Sequence, residues 1–106
     1  MDLPLEIDVA TAARMMSEGA ALVDVREPWE LAISQISGCI AIPMREIPAQ
    51  ADSLPQGIPL LILCQAGVRS RHVAAYLRSR GRQDVTNVAG GIQAWAEQID
   101  HSLTKY

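Results

Sequence analysis

Runs of apolar residues too short for anything but strands alternate along this chain with stretches whose apolar positions repeat at helical spacing. Leu60-Leu61-Ile62-Leu63 is an unbroken apolar run behind Pro59, the pattern of a strand buried on both faces. Ala20-Ala21-Leu22-Val23-Asp24-Val25 reads the same way and ends at Arg26. Leu5-Glu6-Ile7, Cys39-Ile40-Ala41-Ile42 before Pro43, and Asp84 to Val88 are three shorter candidates. Between them, Val9, Ala12, Ala13 and Met16 share one face of a helix predicted over Val9 to Glu18, with Asp8 as its cap and Gly19 as its terminator. Val73, Ala74 and Leu77 do the same for Val68 to Arg80, ended by Gly81. Pro28 suits the first turn of a short helix opened by Glu27-Pro28-Trp29-Glu30. Met44 to Ala51 is expected to be one or two irregular turns interrupted by Pro48, and Gly90-Gly91 to turn into a last helix from Ile92 to Ile99. The tail from Asp100 carries no such period and is expected to be loose.

This alternation predicts an α/β domain with a mostly parallel sheet and helices on both faces. With 106 residues, the chain reads as a single domain able to build one core without disulfides. A hydrophobic content of 49% excludes disorder. No stretch approaches the ~20 apolar residues of a membrane span, and Met1-Asp2-Leu3-Pro4-Leu5-Glu6 lacks the pattern of a secretory leader. A cytoplasmic protein is expected, and in a reducing compartment Cys39 and Cys64 are expected to stay unpaired. Residues 1–52 hold nine acids and three Arg, whereas residues 53–106 hold six Lys or Arg and three acids. Five of those Arg, from Arg69 to Arg82, crowd one helical stretch. They read either as a solvated face or as a local positive field for anions. A net charge of −3 and few aromatics argue against nucleic acid as a partner.

The candidate chemistry lies where the longest apolar run stops. Cys64 ends the strand, Gln65-Ala66-Gly67 forms a tight loop, and a helix opens at Val68-Arg69-Ser70. Unpaired amides and the helix dipole there direct positive charge at the thiol, which favours a nucleophilic thiolate. Open α/β sheets bind ligands at the carboxyl ends of their strands, and Asp24-Val25-Arg26 ends a second strand nearby in that scheme. A buried, inert cysteine is the plain alternative for Cys64. Cys39 reads better as a packed residue than as a second thiol of the site. Trp29 and Trp95 read as packing residues at helix starts.

Four segments carry a family resemblance. Asp24-Val25-Arg26-Glu27-Pro28-Trp29-Glu30 resembles the D-V-R-x-x-x-E stretch of rhodanese domains, and Ile36 to Pro43 resembles their I-x-G-A-x-x-I-P segment. Cys64-Gln65-Ala66-Gly67-Val68-Arg69-Ser70 is similar to their C-x-x-G-x-R-S loop, and Val88 to Trp95 to their closing L-x-G-G-x-x-x-W. The order is the family's, and the match covers nearly the whole chain. The resemblance implies a rhodanese-like, five-stranded sheet and a sulfurtransferase in which Cys64 cycles through a persulfide. Sulfur would pass from thiosulfate or a persulfide to a thiol, or to cyanide in an assay. Gln65, Ala66, Gly67, Val68, Arg69 and Ser70 would form the substrate loop, with Asp24, Arg26 and Glu30 in support. No metal or cofactor is implied, the partners are a small-molecule or protein donor and a thiol acceptor, and a monomer is expected.

Two departures matter. Ser34-Gln35-Ile36 replaces a frequent G-H-I, at a position taken as structural. Gln65 and Ala66 stand where some thiosulfate-using members hold cations, so persulfides are expected to be better donors. Arg69 either lines the anion site or braces the loop on an acid such as Glu30. Three rival functions stay open. A cysteine phosphatase would place Arg after five residues, whereas Arg69 follows Cys64 after four. A docking module would usually have lost the cysteine. A redox sensor would need Cys39 and Cys64 to approach within disulfide reach.

Overall fold

Leu60 to Leu63 carry only apolar side chains and have no exposed face, which puts them at the centre of the sheet. The computed structural model describes residues 2–106. Its strands are β1 (Glu6–Ile7), β2 (Ala21–Asp24), β3 (Ile40–Ala41), β4 (Leu60–Leu63) and β5 (Val85–Val88). They form one five-stranded sheet in the order β1-β5-β4-β2-β3. Every neighbouring pair is parallel, so the sheet is wholly rather than mostly parallel. The helices are α1 (Val9–Ser17), α2 (Pro28–Ile33), α3 (Ile47–Gln50), α4 (Val68–Ser79) and α5 (Gly91–Gln98). Asp8 caps α1 as expected, its Oδ1 accepting from the Thr11 N–H at 2.8 Å.

The pleat sorts the core into two layers. Val23, Val25, Leu60, Ile62 and Cys64 face Val73, Ala74 and Leu77 of α4 and Ile47 of α3. Leu22, Leu61 and Leu63 face Val9 and Ala12 of α1 and Ile92 and Trp95 of α5. Strand β4 is buried along its whole length because both layers need it.

Three local readings are corrected. Pro48 does not interrupt its segment but sits in the first turn of α3, where its missing N–H is harmless. Short 3₁₀ turns, Met44–Glu46 and Ala51–Ser53, flank that helix. Trp95 is a core residue, whereas Trp29 is 63% exposed and stands beside a part of the chain that local pattern does not reveal. The tail is held rather than loose. Leu103 and Tyr106 pack against the α1/α5 layer, behind a turn in which Leu103 N–H bonds Asp100 O.

Topology sets the site's position. From β2 the chain moves outward to β3, and from β4 it moves the other way to β5. The carboxyl ends of β2 and β4 therefore flank the point where the winding reverses, the place where such sheets open a crevice. The two strands end level, with Asp24 paired to Leu63. Val25 and Cys64 leave the sheet side by side, with Arg26 and Gln65 next in line.

Candidate active site

Cys64 continues the alternation of β4 by one residue, so its side chain points into the α4 layer, and the residue is 1% exposed. Its Sγ accepts two hydrogen bonds, from Gly67 N–H at 3.2 Å and from Ser70 Oγ at 3.2 Å. Ser70, in the first turn of α4, is fully buried and aimed at the sulfur. The loop can curl this tightly because Gly67 has φ +105°, a left-handed conformation that side chains rarely adopt. A Cβ there would also stand 3.1 Å from Gly90 N.

Three of the carbonyls from Cys64 to Gly67 are taken up by neighbouring segments. Cys64 O accepts from Ile92 N–H at 2.9 Å and Gln65 O from Gln93 N–H at 3.1 Å, while Gly67 O accepts from Asn87 Nδ2 at 3.1 Å. Among the described residues, the N–H groups of Val68, Arg69 and Ser70 meet no backbone carbonyl, as expected for a helix's first turn. The result is a loop rich in donors around one thiol, an environment that suits an anion. The turn into α5 seats this arrangement so closely that a Cβ on Gly91 would lie 2.3 Å from Gln65 O and 2.5 Å from Cys64 O. Asn87 escaped the sequence reading. Its signal was an amide in a short strand with valine at both ends, which needs a partner once buried.

Of the two roles open to Arg69, the structure shows the brace. Its Nη1 and Nη2 each donate to a Glu30 carboxylate oxygen at 2.7 Å, a bidentate pair. Glu30 also accepts from the Glu27 N–H at 2.8 Å and from the Tyr106 hydroxyl at 2.8 Å. The Arg69 bonds, more than any other contact, hold the Glu30 carboxyl down at about 2. The same pairing with Glu30 raises Arg69 above its ordinary value.

Asp24 and Arg26 form a second pair, wholly buried. Arg26 Nη2 bonds Asp24 Oδ2 at 2.8 Å, and Nε bonds Oδ1 at 3.0 Å. The guanidinium reaches on to Ser34 O at 2.8 Å, to Glu30 O at 3.3 Å and to the Tyr106 hydroxyl at 2.8 Å. Burial opposes its charge, but the bonds with Asp24 and Tyr106 outweigh that and raise its pKa. Neither residue bonds Cys64; their bonds hold the segment after β2. Gln65 turns its amide to the main-chain oxygen of Tyr106. Ala66 and Val68 stand exposed on the loop's outer side.

Cys39 does not join this site. It packs toward the α1/α5 layer, on the opposite face of the sheet from Cys64, and its Sγ takes one long contact from exposed Gln35 Nε2 at 3.4 Å. Both cysteines are free. Among the described residues no cluster of His, Cys, Asp and Glu could hold a metal ion, and no helix is long and apolar enough to cross a membrane.

Known proteins resemble this chain in sequence and fold. The model of the rhodanese-like domain matches residues 8–98. A sulfurtransferase of Allochromatium vinosum is 37% identical over 93 residues, 86% of this chain and 87% of that protein. The thiosulfate sulfurtransferase GlpE of Pseudomonas fluorescens is 33% identical over 84 residues, covering 79% of this chain and 77% of that one. In longer relatives the match occupies only 30% or 22% of the protein. The crystal structure of a rhodanese-like domain protein from Staphylococcus aureus superposes with a TM-score of 0.79 at 32% identity, over 100% of this chain and 99% of that one. The chain thus belongs to the rhodanese-like family, and its chemistry is that of a sulfurtransferase.

Proposed function

We propose that Cys64 carries a sulfane sulfur as a persulfide, and that persulfides serve it better than thiosulfate as donors. The first half is supported above all by the two hydrogen bonds that Cys64 Sγ accepts from Gly67 and Ser70. In the first step the Cys64 thiolate attacks the sulfane sulfur of the donor. A bond forms between Sγ and that sulfur, the donor's S–S bond breaks, and its electron pair leaves with the rest of the donor as a thiolate or, from thiosulfate, as sulfite. In the second step an acceptor thiolate, or cyanide, attacks the terminal sulfur. The bond to Sγ breaks, its electron pair returns to Cys64, and the thiolate is restored. Nothing in this exchange calls for a metal or cofactor.

The second half rests on charge. A sulfonate dianion needs a cation, yet both terminal nitrogens of Arg69 are engaged by Glu30, and Gln65 and Ala66 are uncharged. A persulfide donor brings its sulfur without that requirement. The same reading takes the chain as a cytoplasmic monomer that serves small-molecule or protein donors and thiol acceptors and binds neither nucleic acid nor membrane. A net charge of −3 supports it, as do two unpaired cysteines.

Intact-protein mass spectrometry tests both halves, after incubation with thiosulfate or with glutathione persulfide and with Cys64→Ser as control. The expected result is one added sulfur on the wild type, gained faster from the persulfide, removed by cyanide and missing from the variant. No added sulfur from either donor would overturn the persulfide reading. A thiosulfate KM well below the millimolar range would overturn the donor preference alone.

A further inference from the structure

Tyr106 lies beyond residue 98, where the family match ends, yet it touches both the segment after β2 and the loop itself. Its hydroxyl donates to Glu30 Oε1 at 2.8 Å and accepts from Arg26 Nη1 at 2.8 Å. Its main-chain oxygen accepts from Gln65 Nε2. Its ring centroid lies 5.7 Å from the Arg26 guanidinium carbon, and the ring stands edge-on to Trp29 with centroids 6.1 Å apart. Trp29 is exposed apart from this neighbour, which explains an aromatic that core packing does not.

We infer that Tyr106 is a positioning residue for the persulfide loop, holding its first limb through Gln65 and its second through Glu30 and Arg69. The inference rests on the sulfur-carrying role proposed for Cys64. Gln65 follows the thiol directly, and Arg69 precedes Ser70, the hydroxyl donor to Sγ. Both limbs must stay fixed if the Gly67 and Ser70 donors are to remain 3.2 Å from the sulfur. Arg69 grips Glu30 with both hands, but Glu30 is itself set by what else it bonds. Tyr106 takes one of those positions and keeps the carboxylate turned toward Arg69. It couples the tail, the segment after β2 and the segment after β4 in a single residue, without touching the sulfur.

Two variants in the full chain test this. Tyr106→Phe removes only the hydroxyl, and Tyr106→Ala also removes the ring that seats the main-chain oxygen opposite Gln65. The readouts are the pH profile of Cys64 alkylation by iodoacetamide and kcat and KM with a glutathione persulfide donor. Loss of one hydrogen bond in such a network is expected to lower kcat about fivefold in Tyr106→Phe. KM stays near the wild-type value, and the alkylation profile moves to higher pH. Tyr106→Ala loses more, and adding Gln65→Ala to it costs nothing further, because neighbours in one network are not additive. A purely structural tail would lower the melting temperature and leave kcat and the alkylation profile of the folded protein unchanged. That result in Tyr106→Phe, or additive losses in the double variant, overturns the inference. If the wild type takes up no sulfur at all, the proposed function falls instead, and the alkylation profiles still decide the role of Tyr106.

Discussion

The chain contains two free cysteines on opposite faces of one sheet, and their surroundings differ in kind. Cys64 follows the central strand and meets a main-chain N–H and a buried hydroxyl. Cys39 precedes the edge strand β3 and meets one exposed side-chain amide at 3.4 Å. Both are small, soft side chains packed against apolar neighbours. On the proposed function, what separates the sulfur carrier from filler is therefore the backbone after it. A chain that curls back and opens a helix presents amides to Cys64, whereas the chain after Cys39 continues into β3 and spends its amides on the sheet.

That contrast can be broken directly. Cys64→Ser should abolish sulfur uptake and transfer to cyanide, while Cys39→Ser should retain both near the wild-type rate, as read by thiocyanate formation. Equal losses would end the distinction. A finer cut removes one sulfur donor from each site. Ser70→Ala takes away a fully buried hydroxyl bonded to the Cys64 sulfur. Hydrogen bonds to charged groups predict a fall in kcat of roughly tenfold or more. Gln35→Ala should leave kcat unchanged. The smallest effect concerns stability. Glu30 is held at about 2 against an ordinary 4.5, so its pairing stabilises the fold fully above pH 4.5 and is lost as pH falls toward 2. The urea midpoint of the wild type should drop through that window, and that of Glu30→Gln should drop less. Cys39→Ser should follow the wild-type curve, because nothing around Cys39 depends on the Glu30 pair.

Much of this site could be read from the sequence because its causes are local. An apolar run, a cysteine, a glycine with positive φ and a helix start lie within a few residues, and each constrains the next. The cap at Asp8 and the end of α4 near Gly81 were legible for the same reason. The Arg69–Glu30 pair was legible only as one of two roles, since charge complementarity names partners without fixing their distance. Asn87 left a faint trace as a polar residue in a buried strand. Tyr106 left none, because its bonds reach back to Gln65, Arg26 and Glu30 from a tail without periodicity. Pro48 misled because a proline that opens a helix and one that breaks it look alike until the helix's first residue is known.

The turning of the Cys64 and Gln65 carbonyls into the amides that start α5 has a kinetic meaning. Under the persulfide mechanism, Cys64 bears one negative charge when empty and one when loaded, displaced outward by a single sulfur atom. A loop lined by donors, with its own carbonyls spent elsewhere, is suited to both states without rearranging. Turnover then calls for no lid and no alternation between conformers. On that mechanism the loop acts as a stationary relay, whose pace rests on how well donors and acceptors line up with a sulfur held by fixed hydrogen bonds.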